Sequence, residues 1–226
     1  MQIELKYRPS ATVALCHLKS GENLVSEAGA LLAIKGPVRL DTSTRQKSGG
    51  GLFRGIRRML SGESFFLNRY SSHGETQVWL STPLPGDILV RELQGEKLII
   101  QGGGFVACSE EVVIDLEWQG LKSLFSGESL FWVKAKGFGP VIIGSFGEIT
   151  ELQVDGEYLA DTGHIVAFEE SLDFSISKAS RTWFGAFLGG EGFVCRFKGR
   201  GKLWVQSHNA RSFGFELTPH LRPRSN

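Results

Sequence analysis

Three stretches of this chain carry the same text. "GENLVSEAGALLAIKGPVRLD" begins at Gly21, "GEKLIIQGGGFVACSEEVVID" at Gly95 and "GEYLADTGHIVAFEESLDFSI" at Gly156. Each opens Gly-Glu-x-Leu, reaches a second glycine (Gly29, Gly103, Gly163) and continues into an apolar run. A second motif follows in the same order: "MLSGESFFL" from Met59, "LFSGESLFW" from Leu124 and "FLGGEGFVC" from Phe187, with Cys195 aligned on Leu67 and Trp132. Two motifs recurring three times in one order point to triplication of a unit of about 65–75 residues. A chain built this way folds as a tandem array of like units or not at all.

The unit reads as β-structure. Apolar runs of four to six residues, rich in Val, Ile, Phe and Trp, are separated by Gly-Glu, Asp-Gly and Ser-Gly turns. High glycine (29 of 226) with few prolines (7) fits many tight turns rather than disorder. A lone sheet of this size leaves an apolar face and two edges bare. The expected fold class is therefore mainly β: three tandem homologous antiparallel β-lobes, of β-sandwich or double-stranded β-helix type, around a pseudo-threefold axis. The expected lobes are residues 1–86, 87–147 and 148–226 of one compact domain.

Alignment on the second motif predicts one short helical turn per lobe. Ile56, Met59 and Leu60 precede Gly62-Glu63; Leu121, Leu124 and Phe125 precede Gly127-Glu128; Phe184, Phe187 and Leu188 precede Gly190-Glu191. That i, i+3, i+4 spacing forms one helical face. In the first copy Leu52 and Phe53 extend the apolar face, and Arg54, Arg57 and Arg58 share the opposite one. This patch (Leu52, Phe53, Arg54, Ile56, Arg57, Arg58) is the candidate contact surface, for self-association, a partner or an anionic membrane surface, the alternative being a plug of the chain's own core with solvated arginines. It is no phosphate loop, because the glycines are not followed by Lys-Ser/Thr.

Other chemistry is sparsely signalled. Lys plus Arg is 25 against 24 for Asp plus Glu, so no overall field favours nucleic acid. In "FVCRFKGRGKLW" alternation puts Arg196, Lys198 and Arg200 opposite Phe193, Cys195 and Phe197, an ordinary sheet pattern. The recurring glutamates Glu63, Glu128 and Glu191 are expected to order their turns through backbone N–H groups rather than to hold a cation. Cys16, Cys108 and Cys195 lie at apolar positions of the repeat with no metal-ligand spacing, so neither a metal nor another cofactor is expected. His164 follows a repeat glycine and suits a turn cap. No catalytic residue is assigned, no Gly-x-Ser-x-Gly elbow being present. No run of 18 apolar residues suggests a transmembrane helix, and no secretory signal is visible, so a cytoplasmic location, peripheral at a membrane at most, is expected.

The segment "GGGLFRGIRRMLSGESFF", with "GEYLADTGHIVAF", resembles the prokaryotic family related to the altered-inheritance-of-mitochondria (mitochondrial biogenesis) proteins. The resemblance runs along essentially the whole chain and is most specific at 59–64. It implies a β-rich fold similar to the lobes of the tryptophan RNA-binding attenuation protein, and no known catalytic residue. With no Arg-rich transit peptide at its start, the chain looks like the prokaryotic branch. The expected function is that of a non-enzymatic scaffold or interaction protein, forming a homo-oligomer (a trimer by expectation) and touching a protein or an anionic membrane surface. The alternative is a small-ligand-binding protein or enzyme with its site between lobes; RNA binding ranks below both, since function lives in sites rather than folds.

Overall fold

The computed structural model describes residues 1–43, 66–117, 132–178 and 193–221. The predicted helical turns, the pairs Gly62-Glu63, Gly127-Glu128 and Gly190-Glu191, and the contact patch Leu52, Phe53, Arg54, Ile56, Arg57 and Arg58 all lie outside the described residues.

The fold is mainly β and antiparallel. Its first part holds β1 (Gln2–Lys6), β2 (Val13–Leu18), β3 (Asn23–Glu27), β4 (Leu31–Lys35), β5 (Val38–Ser43), β6 (Leu67–Ser72) and β7 (Thr76–Ser81). Next come β8 (Ile88–Gln101), β9 (Phe105–Ser109), β10 (Val112–Glu117) and β11 (Trp132–Gly144), then β12 (Ile149–Asp161), β13 (Ile165–Glu169), β14 (Asp173–Lys178) and β15 (Phe193–Gln206). A helix, α1 (Ala210–Leu217), follows. One four-stranded sheet has the order β1-β2-β7-β4; a larger one runs β12-β15-β13-β8-β11-β9-β3-β6-β5, with β10 on β11 and β14 on β15.

The pairings follow one scheme. β8 lies along β11, and β9 and β10 also pair with β11. β12 lies along β15, and β13 and β14 also pair with β15. In the first part the two long strands are each cut in two: β2 pairs with β7 and β3 with β6, while β4 joins β7 and β5 joins β6. A register shift sits at a corresponding place in each set, beside Leu32, Val106 and Val166, and a further one lies between β8 and β11 at Lys136–Phe138. Such a bulge bends and twists the strand that carries it.

Turns explain the breaks. Gln101 and Asp161 end β8 and β12, and their side chains accept from the N–H of Gly103 and Gly163, capping single 3-10 turns that lead into β9 and β13. The expected turns at Gly95-Glu96 and Asp155-Gly156 are corrected: both lie inside long strands, β8 and β12. Gly95 and Gly156 take φ of +105° and +111°, so the chain bends there; the ladder of β12 to β15 runs on unbroken through Gly156, whereas that of β8 to β11 shifts register between Gln94 and Lys97 and then resumes. Only Gly21-Glu22 falls in a real gap, between β2 and β3. The alignment of Cys195 with Leu67 and Trp132 is also off by one. Leu67 faces Glu27 and Trp132 faces Gln101, but Val194 faces Asp161.

Three apolar clusters form the core, each borrowing side chains from the next set of strands. Ala14, Cys16, Leu18, Val78 and Leu80 pack with Val106, Ala107 and Ile142. Leu98, Ile100, Cys108 and Val141 pack with Val25 on one side and with Val166, Ala167 and Trp204 on the other. Phe168, Cys195, Phe197 and Leu203 pack with Ile99 and Trp132. Trp132 meets Phe168 and Phe174 edge-on at 5.4 and 5.6 Å. Each such aliphatic or aromatic side chain contributes about 1.5–3 kcal/mol on burial.

Candidate interaction site

Two regions concentrate the chemistry: a polar hub at the starts of β2, β8 and β12, and exposed apolar side chains on β4 and α1.

The hub is built on Asp87, immediately before β8 and 1% exposed. Its carboxylate accepts from Arg8 Nε and Nη2 at 3.0 and 2.7 Å, from Thr12 Oγ1 at 2.8 Å and from the Ile88 N–H at 2.8 Å. Burial alone would raise the carboxyl pKa; the donors from Arg8, Thr12 and Ile88 together outweigh it and hold the value below the ordinary one. Backbone bonds link the three starts: Thr12 N–H to Gly86 O at 3.0 Å, Asp87 N–H to Gly147 O at 2.9 Å, and Ser207 N–H to Glu148 O at 3.0 Å. The hub is a structural clamp, its acid already saturated with donors.

Other ionisable groups are also engaged. Arg196 and Lys198 reach Glu157, Arg200 reaches Asp155 and Lys202 reaches Glu151, at 2.7–3.4 Å. The basic stripe of β15 therefore lies against acids of β12, four cations against three carboxylates, and most of its charge is compensated locally. Cys195 and Phe197 are buried and Arg196, Lys198 and Arg200 exposed, the face assignment expected from alternation. The three thiols are buried; burial pushes Cys16 and Cys195 up to about 12 and Cys108 up as well. His164 Nδ1 lies 2.8 Å from Gln206 O, which ties the turn after β12 to the end of β15. Ser207 Oγ lies 2.8 Å from His208 Nδ1, but it already accepts the Glu148 N–H, and the His208 ring lies tilted against Phe146 at 5.0 Å. Among the described residues no group of three or more His, Cys, Asp or Glu is placed to hold a metal ion.

The second region is apolar. β4 leaves Leu31 and Leu32 exposed, Leu32 at 57%. α1, capped by Asn209 on the N–H groups of Arg211 and Ser212, exposes Phe213, Phe215 and Leu217. Phe213 touches Phe146 at 5.3 Å, and Asn209 lies against Gly163 and Asp161 at the end of β12. Sequence reading missed α1; its signals were an Asn N-cap and the Phe213–Leu217 pair, obscured by Gly214 and by its length of eight residues. It also missed the clamp, because Arg8, Thr12 and Asp87 are far apart in sequence. No helix among the described residues is long and apolar enough to cross a membrane.

Comparison with known proteins places this architecture. Over 216 residues, covering 92% of this chain and 86% of the relative, the sequence is 31% identical to an uncharacterised protein of Streptococcus pyogenes serotype M6. The fold is similar to the crystal structure of protein SPYM3_0169 from Streptococcus pyogenes, with a TM-score of 0.80 and 26% identity, covering 97% of this chain and 99% of that one. Residues 3–208 match the family described as mitochondrial biogenesis AIM24, and the chain belongs to that family.

Proposed function

We propose that this protein is a non-enzymatic scaffold of three tandem β-lobes, residues 1–86, 87–147 and 148–226, that self-associates and docks a protein partner or an anionic membrane surface from the cytoplasmic side. Support for the lobes comes from the strand scheme repeated with its bulge at Leu32, Val106 and Val166. A pseudo-threefold axis would relate these lobes if the third also met the first; three copies is the oligomer expected from the sequence. The observation that carries the scaffold reading is the division of labour between side chains. Polar groups with catalytic capability are spent holding strands together, as at Asp87, whereas apolar side chains on β4 and α1 are left bare. RNA binding is not part of the proposal, since the basic residues of β15 face the acids of β12.

The arginines Arg54, Arg57 and Arg58 supply the surface-directed part, each worth about 1 kcal/mol near an anionic membrane. The test is affinity capture from the native cell with lipid analysis, alongside flotation with anionic vesicles at low salt. The expected result is a co-purifying partner or vesicle binding. Vesicle binding should be lost in Arg54→Glu/Arg57→Glu/Arg58→Glu with an unchanged melting temperature. A preparation that neither captures a partner nor floats contradicts docking, and steady turnover of a small molecule contradicts the non-enzymatic reading.

A further inference from the structure

The lobes are joined by strand addition, and both joints use the same parts. At the first, β9 of the second lobe lies along β3 of the first: Ala107 faces Ser26, Cys108 faces Val25 and Ser109 faces Leu24. At the second, β13 of the third lobe lies along β8 of the second: Ala167 faces Ile100, Phe168 faces Ile99 and Glu169 faces Leu98. In each joint the bulge residue of the later lobe enters the core of the earlier one. Val106 packs in the first cluster and Val166 in the second. Reciprocally, residues of the earlier lobe enter the later core: Val25 and Leu67 in the second cluster and Ile99 and Trp132 in the third.

The parts for one more joint remain. β4 occupies in the first lobe the place of β9 and β13, and the second half of β12 occupies in the third lobe the place of β3 and of the second half of β8. Among the described residues β4 pairs only with β7 and β12 only with β15. Burial follows pairing. All five residues of β9 and four of the five of β13 are buried, while four of the five in β4 are exposed. Leu24, Val25 and Ser26, like Leu98, Ile99 and Ile100, are buried; Tyr158 is exposed, and Leu159 and Ala160 are only half-buried.

We infer that β4 of one copy adds to β12 of a second copy, head to tail, in the register Ala33 opposite Ala160, Ile34 opposite Leu159 and Lys35 opposite Tyr158. Leu32 then enters the third-lobe core of the neighbour, and Leu159 enters the neighbour's first-lobe core. The occupant is argued from continuity with the two internal joints: β4 carries the bulge, and β4 and β12 the register positions, that those joints use. The inference deepens the self-association named above and rests on that reading, but not on membrane or partner docking.

The joint between copies is weaker than the internal ones. Glu110 accepts from Asn23 at 2.5 Å and pairs with Arg69 across the first joint, and Glu170 pairs with Lys97 at 2.7 Å across the second. Gly36 stands at the corresponding place after β4. Association is thus reversible and concentration-dependent. A head-to-tail contact of this kind produces a ring if its rotation closes and an open row if it does not.

The test uses sedimentation velocity over about 1–200 µM, a range chosen to bracket typical weak association, on the full chain and two variants, Leu32→Lys and Leu159→Lys. Wild type should form species of two or more copies as concentration rises. Each variant alone should stay monomeric at concentrations where wild type associates. An equimolar mixture should form a dimer and nothing larger, because one intact β4 and one intact β12 remain. Matching circular dichroism and melting temperatures establish that both variants fold; if either fails, Ala33→Cys and Ala160→Cys replace them, and diamide should link the two in the mixture and neither alone. A double Ala33→Cys/Ala160→Cys chain that links only within itself would place β12 on β4 in the same molecule and overturn the proposal. Variants that associate as strongly as wild type would leave self-association standing and remove this interface. A monomeric wild type would remove both while leaving vesicle or partner docking untouched.

Discussion

Replacing Asp87 by alanine is the sharpest perturbation of the clamp. The carboxylate is buried and accepts four hydrogen bonds. Without it, the Thr12 hydroxyl, on a residue 1% exposed, and the Ile88 N–H lose their acceptor. Each orphaned buried donor costs about 1–3 kcal/mol. Arg8 is half-exposed and is rehydrated, so its loss of partner adds little. The expected cost is about 3–5 kcal/mol, the usual scale for removing one member of a buried pair. Arg8→Ala should cost about 1–2 kcal/mol, because Asp87 keeps two of its donor groups. The effect depends on pH with a defined sign. The folded-state pKa lies below the unfolded one, so the charged clamp contributes its full stability above the unfolded value of about 3.9 and loses it as pH falls through the folded value. Urea unfolding at pH 7 and near pH 2.5 measures both quantities. The gap between wild type and Asp87→Ala should be large at pH 7 and smaller in acid. A gap under about 1 kcal/mol at pH 7, or one that does not shrink in acid, would refute the reasoning.

Gly86→Ala places a Cβ 1.9 Å from Ser145 O, backbone against backbone at the hub, and should cost more than about 2 kcal/mol in urea unfolding. Gly21→Ala has open space and only the strain of φ +85°, so it should cost about 1 kcal/mol. The three buried thiols should resist an aromatic disulfide reagent at pH 8 in the folded protein and all react in urea; one fast thiol in the native state would contradict their burial.

The β character of the fold was legible because short apolar runs alternate with turn residues along the chain. "LIIQGGGFVACSEEVVID" reads as strand, turn, strand, turn, strand, and the structure has β8, a capped turn, β9, a second turn and β10 there. Glycine was the misleading sign. At Gly95 and Gly156 it marks a bend inside a long strand, with a register shift at Gly95, rather than the end of a strand, and local sequence does not distinguish these outcomes. The site was far less legible. Arg8, Thr12 and Asp87 are ordinary surface residue types whose meeting depends on the segment before β2 lying beside the start of β8. Leu32 reads like Val106 and Val166, since all three follow the same glycine-rich turn. What separates them is a neighbouring strand, which is a tertiary fact. Charge was misleading for the same reason: Arg196, Lys198 and Arg200 form a stripe in sequence but lie opposite the acids of β12.

Amide hydrogen exchange resolved to single residues in β4, β9 and β13 tests the central claim, that like lobes are joined by strand addition and that one such edge is kept for a second copy. In dilute protein the amides of β9 and β13 that face the neighbouring lobe should exchange slowly, and the outward-facing amides of β4 and β12 should exchange fast. Raising the concentration should slow β4 and β12 together and leave β9 and β13 unchanged. Protection of β4 that is already complete in dilute solution, or that never changes with concentration, would contradict the account.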